Sequence, residues 1–222
     1  MNIKSLSIAA KIQEIKQHLT PDVRLIAISK KVSVEKIREA YGVGIRDFGE
    51  NRIQEALEKQ EQLQDLNDIC WHFIGHLQTN KAKPALESMD WIQSVDSMKL
   101  LQRLNKLAGE LKQRPKICLQ VKILPDPNKY GWSAAELLAA CPELSAVENL
   151  DIQGLMTILP LGLSDSEILT AFEETGKLRD KINQTSNLQL SELSMGMSGD
   201  YLLAIQSGAT MIRVGRTIFG ER

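Results

Sequence analysis

Eight short apolar runs, each followed by a segment of helical periodicity, fill 222 residues with no low-complexity break. This alternation predicts an α/β fold with a parallel sheet, because a strand can lie parallel to its predecessor only after a crossover, usually a helix. Eight such units at this length match a compact, single-domain (β/α)8 TIM barrel preceded by one extra helix. The competing architecture is an open, doubly wound sheet. A dinucleotide-binding sheet of that kind would carry GxGxxG after the first strand, and none stands there.

The elements follow in order. Leu6, Ile8, Ile12, Ile15 and Leu19 recur at near-helical spacing, so the chain opens with an amphipathic helix packed on the domain. Lys4, Lys11 and Lys16 interrupt that stretch, which excludes a secretory signal, and its lack of aromatics argues against a membrane-surface helix. No run approaches the length that spans a bilayer. Arg24–Ser29 is a continuous apolar run, as expected of a strand covered on both faces. Val34–Tyr41 is helical, Arg46–Gly49 a short strand, Asn51–Leu63 a helix, Cys70–Ile74 a strand and Asn80–Glu87 a helix. Trp91–Val95 is the fourth strand, followed by a long helix over Ser97–Lys112. Lys116–Ile123, Ile152–Met156, Leu188–Leu193 and Met211–Val214 complete the strands. The helices between and before them are Ser133–Ala140, Asp165–Asn183 and a short one from Ser198 to about Gln206. The acidic run Glu55–Asp65 is interspersed with Gln and Lys at helical spacing and reads as a solvated face.

Composition narrows the function. A hydrophobic share of 43% and a charged share of 25% are those of an ordinary globular protein, and a net charge of −1 supplies no global field for nucleic acid or acidic lipid. Cys70, Cys118 and Cys141 form no CxxC pair; the first two lie in apolar runs and read as buried, inert thiols suited to a reducing cytoplasm. His72 and His76 are four apart but lack a third ligand or an HExxH frame, so hydrogen bonding at the barrel mouth is expected of them rather than metal binding.

Ser194–Gly220 carries the strongest local signal. Gly196, Ser198 and Gly199 open a short helix after strand seven, and Gly215 follows strand eight. Backbone N–H groups without side-chain bulk at such places make an anion site, and barrels often bind phosphate after these two strands. The same residues also read as two ordinary turns. At the end of strand one stands Ser29-Lys30-Lys31. If Ile26 and Ile28 face the barrel interior, Lys30 does too, because successive side chains alternate. A lysine held there among cations loses its proton more easily and can attack an aldehyde to form a Schiff base; the alternative is a lysine that snorkels to the rim. Phosphate plus such a lysine fits either a phosphosugar aldolase or pyridoxal phosphate.

The chain resembles the pyridoxal-phosphate homeostasis proteins, relatives of the alanine racemase barrel domain. The matching pieces are Ala27–Lys30, Phe48–Asn51, His72–Lys81, Gly154–Ile158 and Ser194–Gly220, in order along nearly the whole chain. The resemblance implies a barrel of pyridoxal-phosphate fold type III that holds pyridoxal 5'-phosphate as an internal aldimine on Lys30. It places Asn51 near the phenolic oxygen of the ring, Met156 against the ring and Arg213 opposite the pyridine nitrogen. Ser198, Gly215 and Arg216 would grip the phosphate, the last two largely through backbone N–H groups. Arg213 otherwise reads as half of a salt bridge.

One loop departs from the family pattern. Many relatives carry asparagine at the position of Lys122 and Ser-Lys-x-Gly where Asn128–Gly131 stands. Pro125 and Pro127 stiffen this loop, Tyr130 and Trp132 are expected to form a small exposed aromatic surface, and Lys129 is a candidate second acceptor for the cofactor. The related racemases add a β-rich domain that supplies a second acid/base residue. The sequence reaches Arg222 just after strand eight, so the expectation is a monomeric, non-catalytic carrier that passes the cofactor to apo pyridoxal-phosphate enzymes. A racemase is the alternative.

Overall fold

In the computed structural model, which describes residues 6–221, eight parallel strands close into a barrel in the order β1 to β8. The strands are β1 (Arg24–Ile28), β2 (Asp47–Glu50), β3 (Cys70–Phe73), β4 (Trp91–Val95), β5 (Lys116–Val121), β6 (Asp151–Thr157), β7 (Glu192–Ser194) and β8 (Met211–Val214). The helices are α1 (Ile8–Lys16), α2 (Val34–Gly42), α3 (Ile53–Gln62), α4 (Ala82–Ser88), α5 (Met98–Leu111), α6 (Ala134–Ala139), α7 (Cys141–Ser145), α8 (Asp165–Thr185), α9 (Tyr201–Gln206) and α10 (Arg216–Phe219). The barrel is therefore the architecture present, not the open sheet. Lys4 and Arg222 lie outside the described residues.

Closure rests on β1 pairing with β2 on one side and β8 on the other, from Arg24↔Met211 to Ala27↔Val214. The register slips at two places, between Ile92 and Val95 on β4 and between Ile117 and Cys118 on β5. Such irregularities let a short, strongly tilted sheet curl shut.

Side chains sort by strand alternation into two layers. Leu25, Ala27, Phe48, Ile92, Leu119, Leu155, Leu193 and Ile212 face outward into the apolar shell beneath the helices. Ile26, Ile28, Trp91, Cys118, Met156 and Met211 fill the barrel interior, as the alternation predicted for Ile26 and Ile28. His72, Gln93, Ser194 and Arg213 are buried among the polar groups of the same chain.

Helix starts follow their capping chemistry. Ser133 and Ser164 form reciprocal capping boxes with Glu136 and Glu167, and the Ser97 hydroxyl accepts from Leu100 N–H. Two helices escaped the sequence pattern. Cys141–Ser145 continues almost directly from α6 with Pro142 in its first turn. Arg216–Phe219 is too short to show a helical period. The helix expected from Ser198 starts at Tyr201, and strand seven is only Glu192–Ser194.

The extra helix α1 packs against α2 and α10, and it buries Ile8, Ile12 and Ile15. It thus covers the outside of the β1–β8 seam. Ile12→Ala is expected to lower stability by about 2–5 kcal/mol, the range for a fully buried aliphatic truncation, measured by urea unfolding. A loss within the scatter of surface substitutions would show that α1 is dispensable.

Candidate functional site

A cavity of about 720 Å³ opens at the C-terminal ends of the strands. Lys30 from the β1 exit, Asn51 after β2, Gly75 after β3, Ile158 after β6, Met197 and Ser198 after β7, and Arg213, Gly215 and Arg216 of β8 and α10 all line it. Of the seven cofactor-binding residues that the resemblance implies, only Met156 does not. It is fully buried one layer deeper in the barrel, and Ile158, two residues further along the same strand face, takes its place at the cavity wall.

The lining is cationic. Lys30, Lys31, Arg52, Arg213 and Arg216 face the cavity against Glu55 and Glu221. A concave site with this excess draws in a multiply charged anion.

Arg213 is buried, and no carboxylate pairs with it among the described residues. Its Nη1 donates to Ser194 Oγ at 2.7 Å and its Nη2 to the Thr157 carbonyl at 2.8 Å. Burial lowers its pKa to about 10, which still leaves it charged at neutral pH. The salt-bridge reading is thereby replaced by a guanidinium fixed by neutral acceptors.

Ser198 Oγ lies 3.4 Å from both Gly215 N and Thr217 N. At that length the two N–H groups are weakly engaged and can turn to a stronger acceptor. Gly196 makes the loop before them possible. Its φ of +91° is left-handed, and a Cβ there would lie 2.5 Å from Ala204 Cβ. Gly75 is required for contact rather than conformation, since a Cβ would lie 2.4 Å from the Asn51 carbonyl oxygen.

A buried ionic cluster holds the β1 exit. Lys59 Nζ donates to the Ser29 carbonyl at 2.7 Å, to Glu50 Oε1 at 2.8 Å and to Glu55 Oε1 at 2.6 Å. Ser29 Oγ donates to Glu50 Oε1 at 2.6 Å, and Lys31 N–H donates to Glu55. Lys31 is left-handed at φ 57°, a conformation this last bond helps to hold. Burial holds the Glu50 carboxyl above the usual carboxylate range despite Lys59. For Glu55, partial burial works in the same direction, but the Lys59 ammonium and the Lys31 N–H outweigh it and its carboxyl lies below that range. The acidic run Glu55–Asp65, most of which lies on α3, is therefore not a wholly solvated face: Lys59 is buried within it. Sequence reasoning missed this cluster. Its only signals were Glu50 at the end of an apolar strand and the Glu55/Lys59 spacing of four.

The histidines separate. His76 is at the mouth as expected, with Nδ1 2.8 Å from Asp96 and its ring stacked on Tyr130. His72 instead lies deep in the barrel, with Nε2 2.9 Å from Asp47 and Nδ1 2.9 Å from Gln93. Asp47, Cys70 and His72 bring ligand-type atoms within 4.8 Å, but both His72 nitrogens are already engaged. Burial, then Asp47 and Asp90, pushes the Cys70 thiol up to about 12; burial also raises Cys118, so both are inert thiols near neutral pH.

In the Lys122–Trp132 loop, Tyr130 is exposed but Trp132 is not. Its indole donates to the Val95 carbonyl at 3.0 Å and its backbone pairs with Gln120 and Lys122. Buried indoles need such a partner, and Val121↔Trp132 folds the loop back onto β5. Lys129 pairs with Asp126 at 3.2 Å, donates to the Leu159 carbonyl and is not among the cavity residues.

Comparison with known proteins fits this geometry. The model of the alanine racemase N-terminal domain matches residues 3–222, which defines the class of barrel. A pyridoxal phosphate homeostasis protein from Synechocystis sp. is 52% identical over 209 residues, 94% of this chain and 96% of its own length. The structure of PipY from Synechococcus elongatus with pyridoxal phosphate bound superposes with a TM-score of 0.93 at 49% identity, covering 96% of this chain and 100% of that one. Alanine racemase from Clostridium difficile shares the fold, at a TM-score of 0.82 and 15% identity, over 97% of this chain and 60% of its own. The chain belongs to the pyridoxal phosphate homeostasis protein family.

Burial pushes the His72 imidazole down from 6.5, against the pull of Asp47. Below about pH 6.5 the unfolded chain then binds a proton that the folded chain refuses, so stability falls with pH by up to about 1.4 kcal/mol per unit until the folded histidine also titrates. The midpoint of urea unfolding measured from pH 7.5 to 5 should show this slope. His72→Gln, less stable throughout, should lose one proton's worth of it.

Proposed function

We propose that this chain binds pyridoxal 5'-phosphate at the barrel mouth through a Schiff base with Lys30 and serves intracellular homeostasis of that cofactor, buffering it and delivering it to apo enzymes. The observation that carries the reading is the meeting of Lys30 and Arg213 in one cationic cavity beside the Ser198, Gly215 and Thr217 cradle. The cofactor-bound structure of a relative 49% identical supports it.

The donor set suits the group. A phosphate dianion finds two N–H donors, a hydroxyl and the Arg216 side chain at the β7–β8 end of the cavity. Lys30 stands just past the end of β1, the strand next to β8, where the Lys59 cluster fixes the preceding carbonyl. Asn51 is available to the phenolic oxygen, and Ile158 and Ile74 offer apolar walls to the ring. When bound, the cofactor supplies an aldehyde for amines and a ring that withdraws electrons from an adjacent carbon. Arg213 limits the second property, since a guanidinium has no acceptor and disfavours a proton on the nitrogen it faces. Lys31, Arg52 and Arg216 are exposed at the rim, so the cavity stays open to solvent, which suits handing the cofactor on better than chemistry that needs water excluded.

On this reading the protein is a non-catalytic carrier acting as a cytoplasmic monomer, with apo pyridoxal-phosphate enzymes as recipients and no nucleic-acid or membrane partner. Purified protein supplied with pyridoxal phosphate is expected to turn yellow, to bleach with borohydride and to carry the mass adduct on the Lys30 peptide. Lys30→Ala should give no adduct. Protein that stays colourless with added cofactor would overturn the reading, and amino-acid racemisation at an enzyme's rate would replace the carrier with the racemase. Ser198→Ala is expected to weaken binding by about two- to tenfold, the range of one hydrogen bond, measured by fluorescence titration.

A further inference from the structure

Four hydrogen bonds join five side chains into one chain through the barrel interior. Arg213 Nη1 meets Ser194 Oγ at 2.7 Å, and Ser194 Oγ meets Gln93 Oε1 at 2.7 Å. Gln93 Nε2 meets His72 Nδ1 at 2.9 Å, and His72 Nε2 meets Asp47 Oδ1 at 2.9 Å. The path runs from the mouth, at the end of β8, to the floor, at the start of β2. His72, Gln93, Ser194 and Arg213 are all buried, so the three links between them are shielded from bulk solvent, and only the Asp47 end is partly exposed.

The direction of every bond is dictated from the Asp47 end. An ionised carboxylate only accepts, so His72 must donate from Nε2. Its Nδ1 is then an acceptor in the neutral ring and requires the amide nitrogen of Gln93. That leaves the Gln93 oxygen facing Ser194, whose single hydroxyl proton must go to it. Ser194 is left presenting a lone pair, which is what the Arg213 guanidinium needs. Burial keeps His72 neutral, and Trp91, stacked on it at 5.7 Å, fixes its ring plane. Were the imidazole to donate at both nitrogens, Gln93 would turn over and Ser194 would direct its proton at Arg213, a donor against a donor.

We propose that Asp47, His72, Gln93 and Ser194 are positioning residues: together they form a one-way hydrogen-bond relay that orients Arg213 at the cofactor site from the opposite end of the barrel. The proposal rests on the reading above that Arg213 faces the pyridine nitrogen. Among the described residues two acceptors fix the guanidinium, Ser194 Oγ and the Thr157 carbonyl, so loss of the relay leaves it one anchor of these two.

The test uses four variants of the full chain. Ser194→Ala cuts the relay at Arg213. Asp47→Leu removes the acceptor that sets its direction. Asp47→Asn keeps an acceptor for His72 while losing the charge near Arg24, 3.8 Å away, and so controls for that ion pair. Arg213→Ala reports what the guanidinium itself does to the cofactor. In apo protein labelled with 15N at histidine and arginine, the wild type and Asp47→Asn should show His72 protonated at Nε2 alone and resolved, slowly exchanging Arg213 side-chain signals. Ser194→Ala and Asp47→Leu should average the Arg213 signals. With pyridoxal phosphate added, the same two variants should shift the visible maximum toward that of Arg213→Ala and weaken binding about tenfold, and Asp47→Asn should restore both. Wild-type Arg213 signals and spectrum in Ser194→Ala would overturn the relay, and Ser194→Ala, a small deletion, carries this test even if Asp47→Leu fails to fold. An unchanged spectrum in Arg213→Ala would instead sink the placement of Arg213 against the ring, with the apo signals still judging the relay.

Discussion

The β1–β8 pairing is the constraint on which the site depends. Four residues of β1 run beside four of β8, although nearly two hundred positions separate them in sequence. Without that seam Lys30 and Arg213 would stand at opposite edges of an open sheet. With it they share one cavity, and the glycine-rich turn after β7 comes along as the next neighbour. The helix α1 belongs to the same logic: a seam formed last along the chain is covered on its outside by the first helix.

A closed barrel of short strands also creates an interior to fill. Here the fill is mixed. Apolar residues such as Ile26, Cys118 and Met211 share it with four buried polar side chains joined end to end. Burying a guanidinium, an amide, a hydroxyl and an imidazole separately would cost several kcal/mol each, so their compatibility depends on each donor finding an acceptor. That requirement favours a single arrangement, because turning one amide or moving one proton leaves a mismatch elsewhere. Rigidity of Arg213 is thus a consequence of satisfying the interior.

The second buried polar group acts on the other half of the site. Lys59 gathers Glu50, Glu55 and the Ser29 carbonyl, and a carboxylate takes the N–H of left-handed Lys31. The backbone on both sides of Lys30 is therefore fixed by α3 and β2 rather than by β1. Lys59 is consumed in this structural role. Removing one partner of such a cluster is far more costly than never having built it, since an unpaired charge remains inside.

Much of this was legible in the residues. Continuous apolar runs separated by amphipathic segments show parallel strands and their crossovers, because covering both faces of a sheet demands that pattern. The alternation in β1 put Lys30 on the inner side, and the position of Ser194–Gly220 at the last two strands put its glycine-rich turns at the mouth. The element pattern failed where local signals are short or shared: α10 has four residues, and α7 continues from α6. The deeper misses were tertiary. His72 read as a mouth residue, Trp132 as exposed and Lys59 as solvated, because depth inside a barrel depends on strand register, which pairs residues distant in sequence. The sequence by itself determined the class of fold and which residue types reach its mouth, through periodicities encoded within each segment. The tertiary structure alone decided which polar side chains meet inside, because hydrogen-bond partners such as Gln93 and Ser194, a hundred residues apart, are selected by barrel closure and by no local pattern.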